Sequence, residues 1–129
     1  MNTDEHRYLD TANGITRRII GSAQTVSNTL GCGFLEKVYE NALAIELRRN
    51  DLQVEQQKEV HVRYRGEIVG IYIADLLVEG SVLVELKAVF ALDRIHRAQC
   101  INYLRATGHR LCLLLNFGLP RLDVERFAL

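Results

Sequence analysis

Residues Val82-Leu83-Val84-Glu85-Leu86-Lys87-Ala88-Val89 form a strand-like run with two charges set into it, and the acid Asp75 stands near the end of the apolar stretch before it. Side chains two apart on a β-strand share a face, so Glu85 and Lys87 point together while Val84, Leu86 and Ala88 point the other way. Buried charges are costly unless they are paired or hold a metal ion. Asp75 joins the pair if Val69 to Val78 and Val82 to Val89 are two strands of a hairpin with the right turn. A loop of Glu79-Gly80-Ser81 sets Asp75 opposite Glu85, and a loop of Val78-Glu79-Gly80 leaves them diagonal on one face. A tighter Glu79-Gly80 turn opposes Asp75 to Val84 and scatters the acids. With an odd loop, two carboxylates and an ammonium converge on one patch of sheet, a donor set suited to Mg²⁺ and to phosphodiester chemistry.

Outward from this hairpin, Val54, Val60, Val62 and Tyr64 belong to a preceding strand that turns at Arg65-Gly66. Thr11 to Thr29 reads as a first helix, with Ile15, Ile19, Ala23 and Val26 inward and Asp10 or Thr11 as cap. Gly31-Cys32-Gly33 breaks it. Phe34 to Arg49 reads as a second helix with an apolar stripe of Phe34, Leu35, Val38, Ala42, Ile45 and Leu47. A third helix is expected from Asp93 to Thr107, stopped by Gly108, with Ile95, Ala98 or Gln99, Asn102 and Tyr103 inward. Arg110 to Asn116 suits a buried strand, and Val124 to Ala128 a short edge strand. The order predicts an α/β fold: a central mixed sheet, made of a three-stranded antiparallel meander plus a further strand, flanked by helices.

The chain has 129 residues, read as one domain spanning 1–129, with about half its residues apolar and a quarter charged. Its 16 basic and 16 acidic residues balance, which argues against a strong non-specific grip on nucleic acid while leaving room for a local basic groove. Cys32, Cys100 and Cys112 lie far apart, so neither a zinc ribbon nor a disulfide framework is expected, and a reduced cytoplasm fits. The opening residues lack a signal-peptide pattern and the apolar runs are too short to span a bilayer, so no membrane association is expected.

Gly33-Phe34-Leu35-Glu36-Lys37-Val38-Tyr39 fits a Gly-x-x-Glu-x-x-Tyr signature. With Ala74-Asp75-Leu76-Leu77-Val78, Val84-Glu85-Leu86-Lys87-Ala88-Val89, Gln99-Cys100-Ile101-Asn102-Tyr103-Leu104 and Asn116-Phe117-Gly118, it makes the chain resemble the GxxExxY proteins, a bacterial and archaeal family of the PD-(D/E)xK nuclease superfamily. The resemblance covers nearly everything from Ile15 to Arg126. It implies a restriction-endonuclease-like fold, with Asp75 and Glu85 as ligands of Mg²⁺ or Mn²⁺, the Leu86 carbonyl as a further ligand, and Glu36 as an upstream acid. Lys87 corresponds to the lysine that positions or deprotonates the attacking water. Gln99 and Tyr103 resemble a Gln-x-x-x-Tyr motif whose helix supports the site or meets substrate; Gln99 is thereby placed with the catalytic residues. Cys32 stands where proline is frequent in the family, Ser27 where histidine is, and Ile73 where a polar residue is. The implied activity is hydrolysis of phosphodiester bonds by a metal-activated water, in DNA first and RNA second, in a protein small enough to favour a homodimer.

Each residue also has a structural reading. Asp75, Glu85 and Lys87 could form a strand salt bridge beside a turn, Glu36 could favour the positive start of its helix, and Glu40 reads as a solvated surface acid. Tyr39 and Tyr103 read as core aromatics with a hydroxyl to satisfy. His96, one turn before Gln99, is placed to approach a phosphate or to serve the helix itself. Arg94, Arg97, Arg105 and Arg110 read first as a solvated basic face, and Cys100 and Cys112 as small buried apolar residues. Two rival functions remain: a catalytically silent nuclease fold that binds nucleic acid or protein, and a small-molecule enzyme, the latter lacking any phosphate-cradling glycine loop.

Overall fold

The computed structural model describes residues 3–129, with side chains from Thr11 onward. Among these, α1 (Thr3–Leu30) and α2 (Glu36–Arg49) precede β1 (Val54–Tyr64), β2 (Glu67–Val78) and β3 (Val82–Lys87). Then follow α3 (Arg94–Thr107), β4 (Leu111–Asn116) and β5 (Asp123–Ala128). The strands lie in chain order in one sheet. Neighbours are antiparallel except β3 and β4, which run parallel because α3 crosses between them. The expected mixed sheet is therefore present, and β5 completes its far edge.

One face of the sheet packs against α1 and α2, where Ile19, Ala23, Leu43 and Leu47 meet Leu76, Val84, Leu86 and Leu113. The other packs against α3, where Cys100, Tyr103 and Leu104 meet Leu77, Leu83, Cys112 and Leu114. β4, with all six residues buried, reads as a continuous apolar run because both of its faces are covered. The two free cysteines Cys100 and Cys112 fall inside the α3-side core, as small apolar residues do.

Three helix expectations need correction. The first helix begins at Thr3, so Thr11 lies within it rather than capping it, and the side chain of Asp10 lies outside the described residues. In α2 the buried face is Tyr39, Glu40, Leu43, Ala44 and Leu47; of the predicted stripe Leu47 is buried and Ala42 half-buried, whereas Leu35 is 82% exposed and Ile45 58%. Tyr39 stacks on Phe117 with ring centroids 4.8 Å apart, and this anchor rolls the helix so that Glu36 and Glu40, one turn apart, travel with the core-facing side. In α3 the core face is Cys100, Tyr103 and Leu104, while Ile95 is 75% exposed. Ala98 and Asn102 are exposed too, and Gln99 sits half-buried at the edge of the face. The predicted ends of α3 are observed: Asp93 caps its start, and Gly108, at φ 77°, closes it in the left-handed region.

Candidate active site

The β2–β3 register pairs Leu76 with Val84, Leu77 with Leu83 and Val78 with Val82. The loop is thus Glu79-Gly80-Ser81, with Glu79 and Gly80 at positive φ, and Asp75 comes to lie opposite Glu85. Here the ladder stops and side chains take over. The Asp75 amide donates to Glu85 Oε1 at 3.2 Å, and the Leu86 amide donates to Asp75 Oδ2 at 2.8 Å. Each carboxylate is held by one oxygen on the backbone of the opposite strand, so their mutual placement is set by the sheet itself.

β2 also turns over at this point. Ala74 packs on the α3 side and Tyr72 meets the Tyr103 ring edge-on, whereas Leu76 and Val78 face α1 and α2. Across from Asp75, Gln57 adopts φ 55° and drops out of the otherwise regular pairing between Gln56–Leu76 and Lys58–Ala74. The local kink opens a corner of the sheet between the start of α2 and the flank of α3.

Four acids gather at that corner. Glu85 is 3% exposed; burial first, and then the Asp75 carboxylate, push its pKa from 4.5 to about 9. Burial also raises Asp75, opposed by the Leu86 amide and reinforced by Glu40. Glu36, the first residue of α2, is raised by burial and by Asp75 and Glu40, with Lys87 opposing. Lys87 pulls electrostatically on Glu36, Asp75 and Glu85 alike. No carboxylate of the described residues forms a direct ion pair with Lys87, so a closed strand salt bridge does not account for the group.

Glu40 corrects the expectation of a solvated acid: it is 3% exposed. Its Oε2 accepts from Lys37 Nζ at 2.9 Å and Gln56 Nε2 at 2.7 Å, and its Oε1 accepts from Gln57 Nε2 at 2.7 Å. The left-handed turn at Gln57 thus ties the kinked strand to α2 through Glu40. The sequence signal for Glu40 was its place one helical turn after Glu36.

On α3, Tyr103 is buried, and its hydroxyl pKa is raised first by burial and then by the charges of Glu85 and Asp75. Gln99 lines an open groove of about 260 Å³ with Tyr72, Ile95, Ala98, Asn102 and Tyr103. His96 is turned back on the helix start, where its Nδ1 accepts the Asp93 amide at 3.2 Å while the Asp93 carboxylate accepts the amides of Ile95 and His96. Capping occupies that ring nitrogen, so His96 has a structural task at the helix start, as Tyr103 has in the core.

Behind the corner, Asn116 is fully buried: its Oδ1 accepts the amides of Val89 and Gly118, and its Nδ2 donates to the Val89 carbonyl at 2.9 Å. The Phe117 amide donates to the Lys87 carbonyl at 2.8 Å. A Cβ at Gly118 would stand 2.3 Å from the Val89 backbone. This Asn-Phe-Gly block clamps the chain as it leaves β3 and so fixes the stem of Lys87. Tyr39 works similarly on the loop before α2, its hydroxyl donating to the Gly31 carbonyl at 2.6 Å and accepting the Phe34 amide at 3.2 Å.

An acid at the end of one strand, a Glu-x-Lys on its neighbour and a helix acid above them are thus set on a mixed α/β sheet. A family model of the PD-(D/E)XK nuclease superfamily matches residues 13–127. The chain belongs to this superfamily. Its fold is similar to that of an alkaline exonuclease, LHK-Exo, from Laribacter hongkongensis, with a TM-score of 0.52 and 16% identity over 71% of this chain and 55% of that one. It is also similar to the crystal structure of SSO0001, with a TM-score of 0.50 and 16% identity over 71% of this chain and 48% of that one. The chain spans about half the length of these two solved structures. No curated protein matches it.

The donor set of this PD-(D/E)XK member suits a hard cation. Among the described residues no three of His, Cys, Asp and Glu lie close enough to enclose an ion by themselves. Mg²⁺ is commonly held by one or two carboxylates, with water and substrate phosphate completing its shell. Asp75 and Glu85 offer such an oxygen-only pair, with both pKa values raised first by burial and only partly offset by Lys87. Among the described residues no helix is long and apolar enough to cross a membrane.

Proposed function

We infer that this PD-(D/E)XK protein is a divalent-metal-dependent nuclease hydrolysing phosphodiester bonds of DNA, with RNA as the second substrate class, as a single cytoplasmic domain. The Gly33 to Tyr39 signature further supports its place among the GxxExxY proteins. The observation that carries the reading is the reciprocal fastening of Asp75 and Glu85, two carboxylates held side by side, with the Lys87 charge acting on both.

In this reading Asp75 and Glu85 hold Mg²⁺ or Mn²⁺, assisted by the Leu86 carbonyl and by Glu36. When bound, the ion neutralises the carboxylates and the scissile phosphate and lowers the pKa of coordinated water. Lys87, on the same strand face as Glu85, orients or deprotonates the attacking water and offsets developing negative charge. Gln99 offers an amide toward the groove, and Tyr103 bounds the site from the α3 side; both contact substrate, with His96 at the helix start a lesser contributor. Lys37, Gln56 and Gln57 hold the Glu40 carboxylate fixed, which in turn holds the kink beside Asp75.

Calorimetric titration with Mn²⁺ on the parent and on Glu85→Ala, with cleavage assays on single- and double-stranded DNA and on RNA, tests the proposal. Uptake of the ion by the parent alone, with cleavage abolished in the variant, is the expected result. Equal affinity in both proteins removes Glu85 from the site. Ion binding without cleavage by the parent would instead make the chain a binding module on a nuclease fold.

A further inference from the structure

A sizeable cavity stands apart from the carboxylates. It lies between the long β1–β2 hairpin and the C-terminal half of α3, encloses about 560 Å³, and is walled by His61, Arg63, Tyr72, Asn102 and Arg105. It shares Tyr72 and Asn102 with the smaller groove lined by Gln99 and Tyr103. The two hollows therefore adjoin as one channel along one face of α3, whose Tyr103 end shares a buried cluster with Ala74, the residue before Asp75. Gln99, Asn102 and Arg105 succeed one another on that face, and at 1.5 Å per residue Gln99 to Arg105 spans roughly 9 Å.

The charge along this channel changes in an ordered way. Arg97 faces away and is neutralised by Glu125, with both carboxylate oxygens on its Nε at 2.8 and 3.0 Å. Arg105 has no acidic partner among the described residues, and the contact of Arg63 is the Gly66 carbonyl at 3.3 Å. His61 is matched by Glu59 at 3.0 Å, so the two guanidiniums carry the positive charge. Between them and the site stands Tyr72, half-exposed, its ring braced edge-on by Tyr103 at 5.8 Å. Cations that track a backbone, with an aromatic face for a base, are the components of a single-strand binding groove. A duplex offers no unstacked base to such a ring.

We propose that the channel of Arg63, Tyr72, Asn102 and Arg105 is a binding track for single-stranded nucleic acid, which leads the strand past Gln99 to the carboxylates. The inference rests on the nuclease reading above and adds the form of the substrate. Phosphates pair with the two guanidiniums, a base stacks on Tyr72, and Asn102 supplies hydrogen bonds at the junction of the two hollows.

Fluorescence anisotropy with labelled oligothymidylate, in EDTA so that no cleavage occurs, tests the track. The Arg63→Glu/Arg105→Glu double variant is expected to bind at least about tenfold more weakly than the parent, with the slope of log affinity against log salt reduced by about 1.4 for two lost phosphate contacts. Tyr72→Ala should weaken binding about fivefold or more. The same charge change at Arg17 and Arg49, on α1 and α2, is the control, and thermal unfolding checks that each variant is folded. Equal losses in the control, parent-like binding by the double variant, or a blunt duplex of the same length bound as tightly as the single strand would each overturn the proposal. Failure of the parent to cleave with Mn²⁺ would sink the hydrolytic reading and leave this binding comparison intact.

Discussion

Asp75 and Glu85 are fastened crosswise: the amide of Asp75 donates to the carboxylate of Glu85, and the carboxylate of Asp75 accepts the amide that follows Glu85 in the chain. Two acids that repel each other are therefore held together by backbone bonds that neither can leave without orphaning a buried N–H. Such an arrangement stores a demand for positive charge. Glu85→Gln and Asp75→Asn keep the shape and a hydrogen-bond acceptor while removing the ability to ionise. Each is expected to lower Mn²⁺ affinity more than about tenfold, measured by calorimetry, with the fold retained by circular dichroism.

The pKa of Glu85, raised from 4.5 to about 9, sets the sign of a pH effect on the metal-free protein. Between those values the folded state keeps a proton that the unfolded state has lost, so stability is full below about pH 4.5 and declines as pH rises toward 9. The raised pKa of Asp75 acts in the same sense. Melting temperature in EDTA should fall across this window, Mn²⁺ should restore it, and Glu85→Gln should flatten the decline. A melting temperature that rises with pH from 5 to 9 in EDTA would contradict the electrostatic account.

Lys87 acts electrostatically on Glu36, Asp75 and Glu85, and among the described residues it closes an ion pair with none of them. Lys87→Met is expected to reduce cleavage by about a hundredfold or more, the scale of a lost proton-transfer or charge-stabilising group, while Mn²⁺ affinity stays within a few-fold of the parent. Loss of both properties together would instead make Lys87 part of the scaffold of the carboxylates.

The clamp behind β3 makes a stability prediction far from any charge. Asn116→Ala removes partners of the Val89 amide and carbonyl and of the Gly118 amide, a loss of about 3 kcal/mol or more in urea unfolding. Gly118→Ala forces a Cβ against the Val89 backbone and should cost about 2 kcal/mol. Because the clamp adjoins Lys87, both variants are expected to lower kcat where they remain folded, with KM less affected.

Tyr39 separates its two tasks by substitution. Tyr39→Phe keeps the stack on Phe117 but gives up the hydroxyl bonds to Gly31 and Phe34, at about 1 to 2 kcal/mol. Tyr39→Ala also leaves a cavity against Phe117, raising the cost to about 3 to 5 kcal/mol. The two losses are compared by denaturant unfolding.

Local patterning determined much of this protein before any contact was known. Alternation put Glu85 and Lys87 on one face, the β4 run announced a strand covered on both sides, and Gly108 marked the end of α3, because these features depend on neighbours a few residues away. Tertiary structure decided the rest. Sequence left three turns open for the β2–β3 hairpin, and only the formed sheet selects the one that sets Asp75 against Glu85. Helix periodicity pointed to a stripe of Phe34, Leu35, Val38, Ala42, Ile45 and Leu47 on α2, whereas the stack of Tyr39 on Phe117, distant in sequence, goes with a face that brings Glu36 and Glu40 inward. The burial of Glu40 and the clamp by Asn116 were illegible for the same reason: a carboxylate or an amide is tolerated inside only when partners from other elements arrive to bond it, and the order of residues along the chain does not say which ones will.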